Sequence, residues 1–362
     1  MVAVHQFLQS FVKHDAISSH ARHLQRILTE MDIPSDIYAG EQRSGRNAAK
    51  FFRDFQAEEP VKDTWMLFHL SIGGAIADFL QTRNENVAVN YHNISPVELF
   101  GPWEPQVGIE LEAARRQLKE LAPISRFSVA VSEYNRGELV EAGYREPVVA
   151  PVLFDPADFH REYDRTVDAR LQAHKEVGGS DWLFVGRVSP HKCHHDIVKA
   201  FAVYRQMYDD QARLHLVGGM GSHHYWTVLR RYIDALDLGN HVNLPGVVSN
   251  GALGAYYRNA DVFVCLSGHE GFGVPLLEAM YNRVPIIAHD AAAVPETVGN
   301  AALVLRDKSP GSVAVAVQRL LHDDRLRAAL IDAGTARLDD FALSKSEARW
   351  REVIGTMVAT SA

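Results

Sequence analysis

Short apolar runs alternate along the whole chain with segments of helical period. This pattern predicts α/β folding around parallel sheets. In the first half, 2–8, 33–39, 64–69, 87–91, 127–131 and 148–150 read as strands; 19–31, 72–81 and 108–121 read as helices. The polar stretch 155–180 reads as a connection. A second series follows, with strands at 182–185, 213–217, 242–244, 262–266, 285–288 and 302–305 and helices between and after them. The expected division is a first domain over 1–160 and a second over 161–340. A last helix within 341–362 crosses back to the first domain. Open parallel sheets bind ligands beyond the carboxyl ends of their strands, so two facing each other would enclose a central cleft.

Composition narrows the partners. The 362 residues are 47% apolar and 23% charged, with a formal charge of −8. Residues 1–150 carry 15 Lys/Arg against 20 Asp/Glu, and the remainder carries 22 against 25. Neither half is basic, which argues against nucleic acid. Cys193 and Cys265 do not make a disulfide framework. The first residues lack a basic leader, and no apolar run approaches a bilayer span, so a cytoplasmic protein is expected. Peripheral contact at the inner membrane face stays open.

The densest candidate chemistry lies in 270–278. Glu270 and Glu278 flank Gly271-Phe272-Gly273-Val274-Pro275, a Gly-x-Gly turn closed by a helix-starting proline. Free amides at that helix start favour phosphate or sugar oxygens, and Glu278 is expected within the first turn. Gly186-Arg187-Val188-Ser189-Pro190-His191-Lys192 follows a strand and places two cations on one loop, suited to a diphosphate or simply to solvent. Gly218-Gly219-Met220-Gly221 is a loose dinucleotide fingerprint without its third glycine. His191, Cys193, His194 and His195 match no common zinc spacing and read as a polar helix start. His69 and His92 end two strands of the first half, facing the usual ligand crevice. Asp15-Ala16 precedes a helix for which Ser18 or Ser19 is the expected N-cap.

These residues, in this order, resemble the retaining glycosyltransferases of family 4, glycosyl transferases group 1. The resemblance is strongest over 182–305, where 259–264 and 289–299 extend the pattern. It implies the GT-B fold, two Rossmann-like domains. It also implies transfer of a hexosyl group from a nucleotide sugar to a saccharide, a lipid-linked acceptor or another hydroxyl, in polysaccharide or glycoconjugate synthesis. Arg187 and Lys192, with Gly186, would hold the diphosphate. Glu270 and the backbone of Gly271, Phe272, Gly273 and Val274 would hold the sugar, Glu278 the ribose, and Val247 and Val248 the base. His92 would lie near the reacting centre. Asp15 and Ala16 stand where relatives have a glycine-rich turn, which puts close backbone approach there in doubt.

No acidic cluster for Mg²⁺ is evident, so no metal or cofactor is expected. Preorganised cations would stabilise the leaving diphosphate instead. The expected donor is a UDP-sugar such as UDP-glucose, with GDP-mannose next, and the protein is expected to be a monomer or a homodimer. The alternatives are a GT-B epimerase and a non-catalytic nucleotide-sugar sensor.

Overall fold

A computed structural model describes residues 2–12, 15–42, 49–57, 63–159 and 162–360. The chain forms two compact units. One comprises Met1–Val97, Gln106–Phe154 and Phe341–Ala362, the other Glu98–Pro105 and Asp155–Asp340.

The first unit holds a seven-stranded sheet of order β3-β2-β1-β4-β5-β6-β7. Its strands are β1 (Ala3–Phe11), β2 (Ile37–Gln42), β3 (Lys50–Phe51), β4 (Thr64–Leu70), β5 (Asn86–Tyr91), β6 (Ser125–Ala130) and β7 (Val148–Val149). All pair in parallel. Every residue of β4 and β5 is buried, because helices cover both faces of a parallel sheet and leave no solvent side. Buried polar residues of the sheet include Gln6 in β1, His69 in β4 and Asn90 in β5.

The C-terminal helix Leu343–Ala359 belongs to this core. Trp350, Val353, Ile354 and Met357 pack with Val4, Leu24, Leu28 and Trp65. The Trp350 indole donates to the Pro151 carbonyl at 2.8 Å.

The second unit holds a six-stranded parallel sheet of order β10-β9-β8-β11-β12-β13. Its strands are β8 (Asp181–Val185), β9 (Arg213–Val217), β10 (Val242–Gly246), β11 (Val262–Cys265), β12 (Ile286–His289) and β13 (Ala302–Leu305). Strand order reverses between β8 and β11, which opens a crevice beyond their carboxyl ends.

Three expectations change. The stretch 155–180 is not a plain connection but contains the helix Arg165–Glu176, capped by Asp164. Its low hydrophobicity hid it, since it buries only Asp168 and Leu171. The helix Glu133–Glu141 escaped for the same reason. The first helix starts at Ala16 and is capped by Asp15, whose carboxylate accepts from the Ser18 amide at 3.0 Å. Ser18 lies inside the helix, where its hydroxyl accepts from Val12 N at 3.0 Å.

Candidate active site

The loops after β8 and β11 flank the reversal of strand order in the second unit. The loop after β8 enters a 3-10 turn, Pro190–Lys192, and Cys193 then adopts a left-handed conformation before the helix His194–Met207. The loop after β11 carries Glu270 to the helix Val274–Tyr281. Gly273 caps that helix at φ +90°, a conformation that favours glycine. Thr297 donates to the Phe272 carbonyl at 2.5 Å, and Ala293 N donates to the Glu270 carbonyl at 3.1 Å.

Lys192 Nζ bonds both carboxylate oxygens of Glu270, at 2.6 and 2.7 Å. The two side chains are only 17% and 11% exposed, so screening is weak and the pair is held firmly. Arg187 is exposed, and among the described residues its guanidinium has no acceptor. Burial, then the charges of Lys192 and Arg187, holds the His191 imidazole well below its ordinary range. The loop therefore offers one engaged cation, one free cation and a neutral ring.

A second loop fixes this one in place. Val188 N donates to the Gly219 carbonyl at 2.8 Å, and Gly221 N and Ser222 N return bonds to the Val188 carbonyl at 3.1 Å. Gly218 sits at φ +148°, and a Cβ there would lie 2.1 Å from the Gly186 carbonyl oxygen. The glycine-rich turn is thus the buttress of the Arg187–Lys192 loop. A Cβ on Gly219 would lie 2.9 Å from Val247 Cγ2, which places the third loop, with Val247 and Val248, beside the second. Val247 and Met220 are 70% and 56% exposed and form an apolar edge there.

Glu278 is the fifth residue of its helix, one position past the first turn, and Pro275 is the second. It therefore gains little from the helix dipole. Instead its carboxylate accepts from the Tyr257 hydroxyl at 2.7 Å. Burial pushes the Glu278 carboxyl up to about 7, against the opposing effect of that bond. Burial, then the Glu278 charge, moves the Tyr257 phenol well above its usual range.

Sequence reasoning missed Tyr257, and it missed that Glu98–Pro105 joins this unit. Phe100 stacks on His191 at 5.1 Å between ring centroids, and Trp103 meets Tyr225 edge-on at 4.8 Å. The aromatic spacing in that segment was the available signal.

Cys193 and Cys265 are buried free thiols. Among the described residues, one set of three possible metal ligands converges, and it is not His191–His195. It is His20, His69 and His92 in the first unit, with donor atoms within 4.8 Å of one another. Asp15 is occupied as a helix cap there, and Ala16 is exposed.

Two Rossmann-like parallel-sheet units, with charged loops at a reversal of strand order, define a GT-B architecture. Residues 170–337 match the family model of glycosyl transferases group 1. Over that segment the chain is similar to the family. It is 23% identical to O-antigen chain mannosyltransferase B of Escherichia coli over 269 residues, 73% of this chain and 68% of that protein. It is 29% identical to the GDP-mannose-dependent alpha-(1-6)-phosphatidylinositol monomannoside mannosyltransferase of Mycobacterium tuberculosis over 241 residues, 62% of this chain and 60% of that one. The latter alignment spans less than two thirds of the relative. The fold is similar to sucrose-phosphate synthase from Thermosynechococcus elongatus, with TM-score 0.76, 16% identity, and 99% and 100% of the two chains covered.

Proposed function

We propose that the protein transfers a hexosyl group from a nucleoside-diphosphate sugar to a hydroxyl acceptor, with retention and without a metal. The observation that carries this reading is the Lys192–Glu270 pair beside the unengaged Arg187, at the reversal between β8 and β11. Arg187 and Lys192 bind the diphosphate and, with Gly186, stabilise its growing charge as the anomeric bond breaks. Glu270 accepts hydroxyls of the donor sugar over the backbone of Gly271, Phe272, Gly273 and Val274. Glu278 accepts from the ribose, and Val247 and Val248 flank the base. His92 acts at the sugar. Asp15 and Ala16 are the weakest of the proposed contacts, because the Asp15 carboxylate already caps a helix.

Bound donor would draw Lys192 toward phosphate and free Glu270 for hydroxyls. A pair that neutralises itself when empty avoids leaving a half-buried charge unmatched. The leaving phosphate then takes the acceptor's proton, so Glu270 is not a nucleophile.

Two mannosyltransferases among the relatives, one named for GDP-mannose, favour GDP-mannose over UDP-glucose as donor. The acceptor is a saccharide or a lipid-linked saccharide. The deciding experiment is a melting-temperature panel with GDP-mannose, UDP-glucose and the free nucleotides, followed by turnover with the donor that binds. Absence of a shift with every nucleotide sugar refutes the reading.

A further inference from the structure

The three convergent histidines of the first unit look at first like a chelate, but their hydrogen bonds assign the ring protons otherwise. Gln6 Nε2 donates to the Ala21 carbonyl at 3.0 Å, which turns Gln6 Oε1 toward His69 Nε2, 2.9 Å away. An amide oxygen can only accept, so His69 Nε2 carries a proton. Burial first, and then the neighbouring imidazole, hold His69 and His92 well below the ordinary histidine range, so both rings are neutral. A neutral His69 protonated at Nε2 has a bare Nδ1. That nitrogen lies 3.0 Å from His92 Nε2 and 3.3 Å from Asn90 Nδ2, and the shorter contact, which two bare ring nitrogens would not make, assigns His92 Nε2 as a donor to it.

The same reasoning removes His20 as a ligand. Its Nδ1 accepts from the Leu153 amide at 3.2 Å, so its neutral ring carries the proton at Nε2 and has no lone pair to give there. Asn90 Nδ2 lies 3.2 Å from that nitrogen, while Asn90 Oδ1 has no partner. The same Asn90 Nδ2 also lies 3.3 Å from His69 Nδ1, the bare nitrogen to which it can donate.

One lone pair of the cluster is left over. His92 Nδ1 has no hydrogen-bond partner among the described residues, and His92 keeps 9% exposure. The main chain around it is pinned as well. His92 N donates to the Leu70 carbonyl at 2.8 Å, and Ile94 N donates to the Tyr91 hydroxyl at 3.0 Å. Asn93 between them is held at φ +107°, an unusual value for a residue with a side chain.

We propose that His69, backed by Gln6, is a positioning residue that locks His92 as its Nε2–H tautomer, so that the bare Nδ1 is the nitrogen His92 offers to a ligand hydroxyl. This rests on the reading of His92 as a residue that acts at the sugar. The chain His92 → His69 → Gln6 → Ala21 carbonyl runs from strand end to core, and each member accepts what the previous one donates.

The test is the long-range proton–nitrogen spectrum of the full chain labelled with ¹⁵N-histidine, at pH 7.5. The expected result is His69 and His92 both neutral, protonated at Nε2 and bare at Nδ1. Addition of Zn²⁺ leaves both rings unchanged. A charged His92, a proton on its Nδ1, or stoichiometric Zn²⁺ shifts at His69 and His92 overturns the proposal, the last in favour of a metal site. His69→Leu should release His92 to a mixture of tautomers and lower kcat roughly 10- to 100-fold with KM for the donor unchanged. His69→Asn, whose side-chain oxygen can replace the Nδ1 lone pair, should restore both. Full kcat in a folded His69→Leu protein with mixed tautomers overturns the positioning role. If no donor is turned over at all, the functional reading fails, and the wild-type spectrum still decides the tautomer.

Discussion

At the residue scale, the two carboxylates of 270–278 turn out to be different devices. Glu270 is matched by Lys192, and Glu278 by the Tyr257 hydroxyl. Glu270→Gln should release Lys192 for phosphate. Free nucleoside diphosphate should then bind about 3- to 30-fold more tightly, while turnover of the sugar donor falls; parallel calorimetry and rate assays check this. Glu278 has a folded-state pKa of about 7, above its unfolded value of 4.5. Its contribution to stability is complete below pH 4.5 and is lost as pH rises to about 7, because there the unfolded chain ionises first. Relative to Glu278→Gln, the wild-type protein should lose on the order of 3 kcal/mol across that window, as denaturant titrations at a series of pH values would register. Spacing alone made both carboxylates candidates. It was silent on their partners, because Tyr257 and Lys192 are brought in from other loops and helices.

At the scale of elements, the Gly218–Gly221 turn is the clearest case of a motif read for one purpose and used for another. Its glycines let one backbone rest on another, at the Gly186 carbonyl. Gly218→Ala combines a 2.1 Å clash against backbone with an unfavourable φ, so it should displace the Arg187–Lys192 loop. We expect a loss of at least 2 kcal/mol in stability, by chemical denaturation, and a weaker donor affinity. The C-terminal helix anchors the first unit through a buried tryptophan. Trp350→Ala removes that anchor and its bond to Pro151, and should cost about 3–5 kcal/mol in thermal or urea unfolding. Trp350 also meets the His20 ring, 5.0 Å between centroids, so the same change should disturb the His20–Asn90 contact.

At the scale of the whole molecule, each unit contributes its own sheet and its own polar cluster. In the first unit, burial keeps His20, His69 and His92 neutral, while an unfolded chain would protonate them below about pH 6.5. The unfolded state then binds more protons, so this unit should lose stability as pH falls from 6.5, the opposite direction to the Glu278 effect. A donor bound as proposed, at 100 times its Kd, should add about 2.7 kcal/mol to the folded state and raise the melting temperature by roughly 5–10 °C. No helix among the described residues is long and apolar enough to cross a membrane.

The sequence by itself determined the α/β class, the two series of buried parallel strands and the order of the loops. It could do so because strand burial and helical period are written in local patterns of apolar residues. It missed Arg165–Glu176 and Glu133–Glu141, whose few buried positions leave that pattern faint. It marked His69 and His92 as strand-end histidines, and left Gln6 and Asn90 unremarked within apolar runs. Only the tertiary structure decided that His69 and His92 share a hydrogen bond, that Lys192 clasps Glu270 and that Gly218 supports Gly186. Those pairings join residues 23, 78 and 32 positions apart, because sheet order, and not chain order, sets which loops meet.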